Sequence, residues 1–362
     1  MSIRKVILSA AALLMVFASC TKNDLPGSEG RQVAFQTAAN GTRAGIEGTV
    51  FPTSEVFGVY AWAVGTIGDY FMDNERVSYN PTDGVWRASS TYYWPKNNTV
   101  DFFGYYPYGH SGLSVAPEKV TYTGIDVEAG QQDVMYSSKS VGYGDNPDGK
   151  GQGIDGSGGV PILFHHALSK VTVLAKLAFD RMEEEDGTVY EWELNVSKAT
   201  INNFYKKGGA EFILADEPTE GLVEWIKPMD ADSNRVWTND GSLTSKTATG
   251  PVVVKGEEPS VIIPEFFTLP QALDSLGTHQ TITVDFTVKT KRNGVDFLNE
   301  TLTRSARLYL EEIPAWEINH KIIYTLLFSP IDLGPNGRPS TITFDPAVDD
   351  WEVITASTVI NL

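Results

Sequence analysis

Short segments in which apolar and polar residues alternate recur along the whole chain, with turn-forming residues between them. At 32–37, for example, Val33 and Phe35 alternate with Gln32, Ala34 and Gln36, and AsnProThrAspGly at 80–84 is one of the intervening turn signals. Further strands are predicted at 85–88, 91–94, 100–106 and 322–328, together with a long β pattern over 160–177. Alternation with a period of two is typical of β-strands, and no segment of the first half shows a convincing helical period of 3.6 residues. The pattern predicts an all-β fold, most simply two β-sandwiches in tandem.

One stretch interrupts this series. Residues 142–159 are rich in glycine and aspartate and offer too little apolar surface to join a core. We therefore expect an N-terminal β-sandwich domain over 31–158 and a C-terminal β-sandwich domain over 159–346. The tail 347–362 follows what the pattern indicates is a complete domain.

The N-terminus has the organisation of an export signal. Two basic residues precede an apolar run, 6–17, that is too short to span a bilayer comfortably. Small residues then stand directly before Cys20, as in the lipobox of bacterial lipoproteins. We expect residues 1–19 to be a lipoprotein signal peptide, Cys20 to carry a lipid and residues 20–30 to be a flexible tether. The alternative is a secretory signal with an incidental cysteine.

The charge and cysteine content exclude some classes of function. Lys and Arg number 28 against 46 Asp and Glu, which gives a formal net charge of −18 at pH 7. Such an acidic surface repels nucleic acid, so nucleic-acid binding is disfavoured. Because Cys20 is the only cysteine, the chain cannot form an intrachain disulfide.

The sequence also lacks the common catalytic motifs. It has no GlyXaaSerXaaGly elbow, no Walker loop and no HisGluXaaXaaHis pair. His165 and His166 are adjacent, so on a strand they point to opposite faces and cannot bind one metal together. The loop 145–156 lacks the alternating oxygen ligands of a calcium loop. We predict no catalytic residue, no metal site and no cofactor, and an enzyme is disfavoured.

Aromatic residues are dense in two segments, 92–95 and 102–108. In a β-sandwich such residues most often fill the core. A carbohydrate-binding platform is the alternative interpretation.

Eight short motifs, taken in order and spacing, resemble the fimbrillin family, the lipoprotein subunits of type V pili in Bacteroides-type bacteria. They are ThrArgAla at 42–44, PheGlyValTyrAla at 57–61, TyrTyrTrpPro at 92–95, PhePheGlyTyrTyrPro at 102–107, PheHisHisAlaLeuSerLysVal at 164–171, ValIleIleProGlu at 261–265, TrpGluIleAsnHisLysIleIleTyrThrLeu at 316–326 and AspAspTrpGlu at 349–352. Together they span nearly the whole mature chain. The resemblance implies two tandem Greek-key, transthyretin-like sandwiches without catalytic activity.

The resemblance further implies maturation by a trypsin-like protease that cuts after an arginine following the first strand. On this sequence the cut falls between Arg43 and Ala44, in a glycine-rich loop. A neighbouring subunit's C-terminal extension then fills the vacated groove by β-strand addition. The alternative is that Arg43 is an ordinary loop arginine.

The candidate donor strand of this chain lies in its C-terminal tail. Its candidate pocket-filling residues are Val348, Trp351, Val353 and Ile354. The alternative is a terminal strand that completes its own domain.

The expected function is therefore that of a structural pilus subunit, a lipoprotein precursor at the outer membrane that later becomes part of a surface fimbria. Its expected partners are other pilus subunits, the membrane through the lipid on Cys20, and a host or bacterial surface ligand. The alternative is a surface lipoprotein that binds a glycan or acts as an adhesin without polymerising.

Overall fold

The structure is all-β. The computed structural model describes residues 33–39, 51–64, 70–82, 84–95, 97–144, 159–213, 235–239, 243–256, 258–273, 280–329 and 342–349. These residues form twenty-three β-strands and no helix, so none of them belongs to a helix that could cross a membrane. The predicted all-β class is confirmed, whereas the division into two tandem sandwiches remains a prediction.

The strands are short and follow one another closely in the first half and lengthen in the second. Those before residue 214 are β1 (Phe35–Ala39), β2 (Val56–Ala63), β3 (Tyr70–Asn80), β4 (Val85–Ala88), β5 (Val100–Tyr106), β6 (Leu113–Ala116), β7 (Lys119–Asp126), β8 (Met135–Ser137), β9 (Ser140–Tyr143), β10 (Val160–His166), β11 (Ser169–Leu177), β12 (Arg181–Glu183), β13 (Val189–Tyr205) and β14 (Lys207–Ile213). The later strands are β15 (Arg235–Asn239), β16 (Leu243–Val254), β17 (Ser260–Thr268), β18 (Gln271–Ala272), β19 (Thr281–Arg292), β20 (Val295–Arg307), β21 (Ala315–Trp316), β22 (Lys321–Phe328) and β23 (Ile342–Asp349).

The first sheet contains eight strands in the order β2-β3-β4-β1-β10-β8-β5-β9. β2 also pairs with β5, so the strands from β2 to β5 in this order form a closed ring. Closure removes the free sheet edges that would otherwise pair with other chains. The interior of the ring is an aromatic core that includes Phe35, Phe57, Phe102 and Phe164, each fully buried.

Two further sheets share the core of the second half. One has the order β17-β11-β22-β23, and the other has the order β12-β13-β19-β20 with β16 beside β13. Val171 and Tyr324 of the first sheet pack in one cluster with Leu194 and Phe286 of the second. In the first of these sheets β11 and β22 run parallel, and β23 runs antiparallel to β22.

A small sheet joins the two halves. β13 continues into β14 with only Lys206 between them, and β14 pairs with β7, so that Phe212 lies opposite Val120. The core beneath this sheet mixes Tyr105 and Tyr122 of the first half with Leu269 of the second. Strand pairing and apolar burial therefore fasten the halves together.

A side-chain amide reinforces this junction. Gln131 Nε2 donates to the backbone carbonyl of Phe267 at 3.3 Å, and Gln131 Oε1 accepts from the backbone N–H of Phe267 at 2.8 Å. Nearby, Lys206 Nζ lies 2.5 Å from a carboxylate oxygen of Glu128. Because the amide satisfies both polar groups of one edge residue, it holds β17 in a fixed position against the first half.

The bounds of some strands agree with the prediction, and those of others differ. β4 and β5 have the predicted bounds, but the continuous pattern at 160–177 is two strands, β10 and β11. The predicted strand at 91–94 contributes only an isolated bridge. β10 pairs with β1 and β8, so the first sheet extends past residue 158, where the domain boundary was predicted.

Candidate functional site

The strand β1 completes the ring of the first sheet. It pairs in parallel with β10 through five residue pairs, from Phe35 opposite Val160 to Ala39 opposite Phe164. On its other side it pairs with β4 through a single residue pair, Phe35 opposite Trp86. β1 is thus a short strand held by a full ladder on one side and one bridge on the other.

Phe35 anchors this strand in the core. Its side chain is fully buried, and its ring makes edge-to-face contacts with Phe57 and Phe102 at centroid distances of 6.5 and 5.7 Å. Burial of the ring by itself stabilises the folded state by about 1.5–3 kcal/mol. The aromatic contacts stabilise it further. Removal of β1 would expose these rings and the edges of β4 and β10.

The preceding residues tie β1 to the rest of the ring. The backbone N–H of Val33 donates to the carbonyl of Tyr92 at 2.8 Å, and the N–H of Val160 donates to the carbonyl of Ala34 at 2.8 Å. A Cβ at Gly159 would lie 2.6 Å from the carbonyl carbon of Phe35. Glycine at this position therefore permits the close approach of β1 and β10.

At the other end of the chain, β23 lies at the edge of its sheet. It pairs with β22 through eight residue pairs, from Ile342 opposite Phe328 to Asp349 opposite Lys321. Among the described residues no strand lies on its outer side. β23 is therefore the last strand of this sheet within the described ranges, and Asp349 lies opposite Lys321 at the start of β22.

The sequence model of one family matches residues 42–351, and that family is described as fimbrillin-like. The match covers most of the chain. This chain belongs to the fimbrillin-like family. No curated protein matches it.

Solved structures of Bacteroides proteins resemble this fimbrillin-like chain. A fimbrial protein from Bacteroides vulgatus aligns over 89% of this chain and 100% of its own, with a TM-score of 0.50 and 13% sequence identity. Candidate cell adhesion proteins from Bacteroides uniformis and Bacteroides ovatus align over 89% and 90% of this chain and 98% and 99% of their own. Their TM-scores are 0.42 and 0.45, and their identities are 17% and 16%. The first likeness shows that the fold is that of a fimbrial protein.

Most site residues predicted for this fimbrillin-like protein lie outside the described residues. These are Cys20, Arg43, Ala44, Trp351, Val353 and Ile354. The predicted donor residue Val348 lies in β23, opposite Ile322 of the same chain. β1 ends at Ala39, shortly before Arg43, so the predicted cleavage point follows the strand that closes the ring.

The two histidines of the fimbrillin-like motif are buried and have separate partners. His165 Nε2 lies 2.9 Å from Ser138 Oγ, and His166 Nδ1 lies 2.5 Å from Asp133 Oδ2. Among the described residues no three His, Cys, Asp or Glu side chains lie close enough to hold a metal ion. At the end of β10, each histidine ring therefore lies at hydrogen-bond distance from a different side chain.

The aromatic segments mainly fill the core, as one of the two interpretations predicts. Trp94 and Phe103 are almost fully buried, whereas Tyr93 and Tyr108 are 43% and 37% exposed. Burial raises the pKa of Tyr105 above its ordinary value of 10.0. Its hydroxyl remains a neutral donor that hydrogen-bonds Asn74.

A charged cluster in the second half was not predicted. Glu265 Oε1 accepts from Lys170 Nζ at 2.8 Å, and Glu265 Oε2 accepts from Lys321 Nζ at 2.9 Å. Partial burial acts to raise the pKa of Glu265, but hydrogen bonds from the two lysines outweigh it and hold this pKa below the usual 4.5. The three residues come from adjacent strands that are far apart in sequence, so no local signal could reveal the cluster.

Proposed function

We propose that this chain is a structural subunit of a cell-surface fimbria that polymerises by β-strand exchange. In this proposal a protease cuts after Arg43, β1 leaves the ring, and the C-terminal tail of another subunit replaces it. The observation that carries the proposal is the position of β1 as the strand that closes the ring. Membership of the fimbrillin-like family and the fold of a fimbrial protein support a surface location.

The pairing of β1 makes exchange physically reasonable. A strand with one full ladder and a single residue pair on the other side leaves the rest of the ring with its own pairings when it departs. The gap between β4 and β10 then has unpaired backbone groups on both sides and an aromatic floor. A new strand that fills this gap regains main-chain hydrogen bonds and apolar burial together, which favours polymerisation.

The pairing of β23 suggests where the donor begins. Because residues 342–349 pair with β22, their use as a donor would leave an open edge at β22. We therefore propose that the donor is the segment after Asp349, with Trp351, Val353 and Ile354 as its pocket-filling residues. Val348 then serves to complete the subunit's own sheet.

The lipid on Cys20 has a temporary role in this scheme. It would hold the precursor at the outer membrane, and it would leave with β1 when the chain is cut after Arg43. The proposed partners are then other pilus subunits before and during assembly, and a ligand on a host or bacterial surface afterwards.

A disulfide that locks β1 to β10 tests the exchange. Gln36 and Pro161 are neighbours on these strands and are both half-buried, so Gln36→Cys with Pro161→Cys places two thiols within bonding reach. We expect oxidised double-variant subunits to be cleaved but not to polymerise, and reduction to restore polymerisation. The two single variants are the controls. Normal polymerisation of the oxidised, cross-linked protein would contradict strand exchange.

A second candidate function is that of a surface lipoprotein adhesin that does not polymerise. The observation that favours it is the seating of β23 in the chain's own sheet, as expected of a strand that completes its own domain. In that case the oxidised and reduced double variants would behave alike, and the surface form would keep its lipidated N-terminus.

A further inference from the structure

The strand β20 forms one edge of its sheet. It has 13 residues and pairs with β19 on one side, and no strand within the described ranges pairs with its other side. Ten consecutive residue pairs run without a shift, from Arg307 opposite Thr281 to Leu298 opposite Thr290, and the register shifts only beyond them, at Phe297. The segment 298–307 is therefore a long and regular strand edge.

The other edge strands of the two sheets that share the second-half core are shorter or carry a proline. β12 has only three residues, and β16, β17 and β23 contain Pro251, Pro264 and Pro346. Proline has no backbone N–H to donate, and a very short strand offers few groups, so both features discourage pairing with another chain. β20 has neither feature.

Two residues of β20 carry opposite charges on the same face. Glu300, Leu302 and Arg304 occupy alternate positions, so they project from one side of the sheet. Phe286, which pairs with Leu302, is fully buried, so this is the side that faces the core, and the three residues of β20 are half-buried. Charges on an edge usually discourage pairing with other chains. Here the two charges lie two residues to either side of Leu302, so an antiparallel copy of the strand matches them.

We propose that β20 pairs antiparallel with β20 of a second copy of this chain, about a two-fold axis at Leu302. In this register Glu300 of each copy faces Arg304 of the other, so two pairs of opposite charge flank a central contact between the two leucines. Leu298 of each copy faces Ala306 of the other. The outward backbone groups of both edges then hydrogen-bond to each other, as in other cases of β-strand addition.

The solvent-exposed face of β20 fits the same register. Thr301 of each copy faces Thr303 of the other, and Asn299 faces Ser305. These small polar side chains suit cross-strand hydrogen bonds, and within one copy the Thr303 hydroxyl already donates to Asp285 Oδ1 on β19 at 2.7 Å. No like charges meet on this face, so nothing on it opposes the pairing.

The charges select both the register and the partner. An axis at Glu300 or at Arg304 would place like charges directly opposite each other, which is destabilising. An axis at Thr301 or at Thr303 would place each charge opposite an apolar residue. Because the match around Leu302 is internal to β20, a second copy of the chain satisfies it, whereas an unrelated peptide would need a complementary sequence of its own.

This inference goes beyond the proposed function, because strand exchange takes place at β1 and leaves β20 unused. Sedimentation velocity of the exported full-length protein, solubilised in a mild detergent, tests it. Every protein measured carries Arg43→Gln, which removes the predicted cut, so strand exchange cannot contribute to association. We expect a dimer at micromolar concentration that dissociates on dilution. A protein that stays monomeric would overturn the inference and leave strand exchange untouched.

Charge reversal locates the contact. Glu300→Arg and Arg304→Glu each place like charges opposite each other in a dimer of identical copies, so each should weaken dimerisation about tenfold. Mixing the two variants should restore the dimer, because the positive strand of one then faces the negative strand of the other. The double variant should also dimerise with itself, because its charges are exchanged but still complementary.

Glu183→Arg, a charge reversal on β12 at the opposite edge of the same sheet, is the matched control and should dimerise normally. Unfolding midpoints of all variants check that they fold. Dimerisation that persists unchanged in both single variants would place the contact at the lipid or at another surface and overturn the inference. Folded single variants that fail to associate when mixed would overturn it as well.

Discussion

Phe35 and Trp86 face each other across β1 and β4, and theirs is the one residue pair that joins these strands. The opposite edge of β1 is held by five pairs with β10. Both rings belong to one aromatic core, where Trp86 packs against Phe57 and Phe51. The ring of strands is therefore closed at its weakest ladder by aromatic packing rather than by an extended set of hydrogen bonds.

Phe35→Ala should destabilise the first sheet strongly. Deleting a fully buried aromatic ring leaves a cavity, and we expect the free energy of unfolding to fall by about 3–5 kcal/mol. Urea denaturation monitored by tryptophan fluorescence measures the change. Gln36→Ala, on the same strand but half-buried, is the control and should cost less than about 1 kcal/mol. Equal effects of the two variants would mean that β1 is not anchored by Phe35.

Cys20→Ala should release the precursor from the membrane fraction. The expectation depends on the lipobox-like sequence, because a thioether-linked lipid needs the thiol of Cys20. Fractionation of cells and labelling with a fatty acid measure the outcome, and Ser19→Ala serves as a control that keeps a small residue before the cysteine. A wild-type precursor that takes up no label would exclude lipidation.

Arg43→Gln should block maturation. A trypsin-like protease requires a basic residue before the cut, so the variant should keep β1 and accumulate as uncut subunits. N-terminal sequencing of surface fimbriae should give Ala44 for the wild type. Lys22→Gln, in the predicted tether, is the control. A wild-type fimbria whose subunits begin at Cys20 would show that cleavage after Arg43 is not part of assembly.

Truncation after Asp349 should separate folding from assembly. The shortened chain keeps all eight pairs between β22 and β23, so its unfolding midpoint should match that of the full chain. We expect it to accept a donor from another subunit but to donate none, which shortens the fimbriae seen by electron microscopy. Fimbriae of normal length would exclude the segment after Asp349 as donor.

The charged cluster at Glu265 should make stability depend on acidity. The pKa of Glu265 is lowered in the folded state, so its contribution is present above its usual value of 4.5 and is lost as the pH falls through the lowered pKa. At neutral pH we expect Glu265→Gln to cost about 1 kcal/mol, a value reduced because the carboxylate is partly exposed. The difference between the two proteins should vanish in acid. Denaturation curves across this pH range measure it, and a constant difference would contradict the assignment.

The sequence alone was enough to find many strands and the family. β5 has the predicted bounds because a short apolar run between turn-forming residues is a local signal. The motif around His165 and His166 carries the family resemblance, and the family match over 42–351 confirms it. The charged cluster of Lys170, Glu265 and Lys321 gave no such signal, because adjacency between distant strands creates it.

What the sequence determined, then, was the all-β class, the family and the local strand pattern of this chain, because alternation acts over a few residues. Only the tertiary structure decided which strands are neighbours. The parallel pairing of β1 with β10 and the pairing of β14 with β7 join segments that are far apart along the chain. Such contacts are selected by the packing of whole sheets rather than by any local pattern.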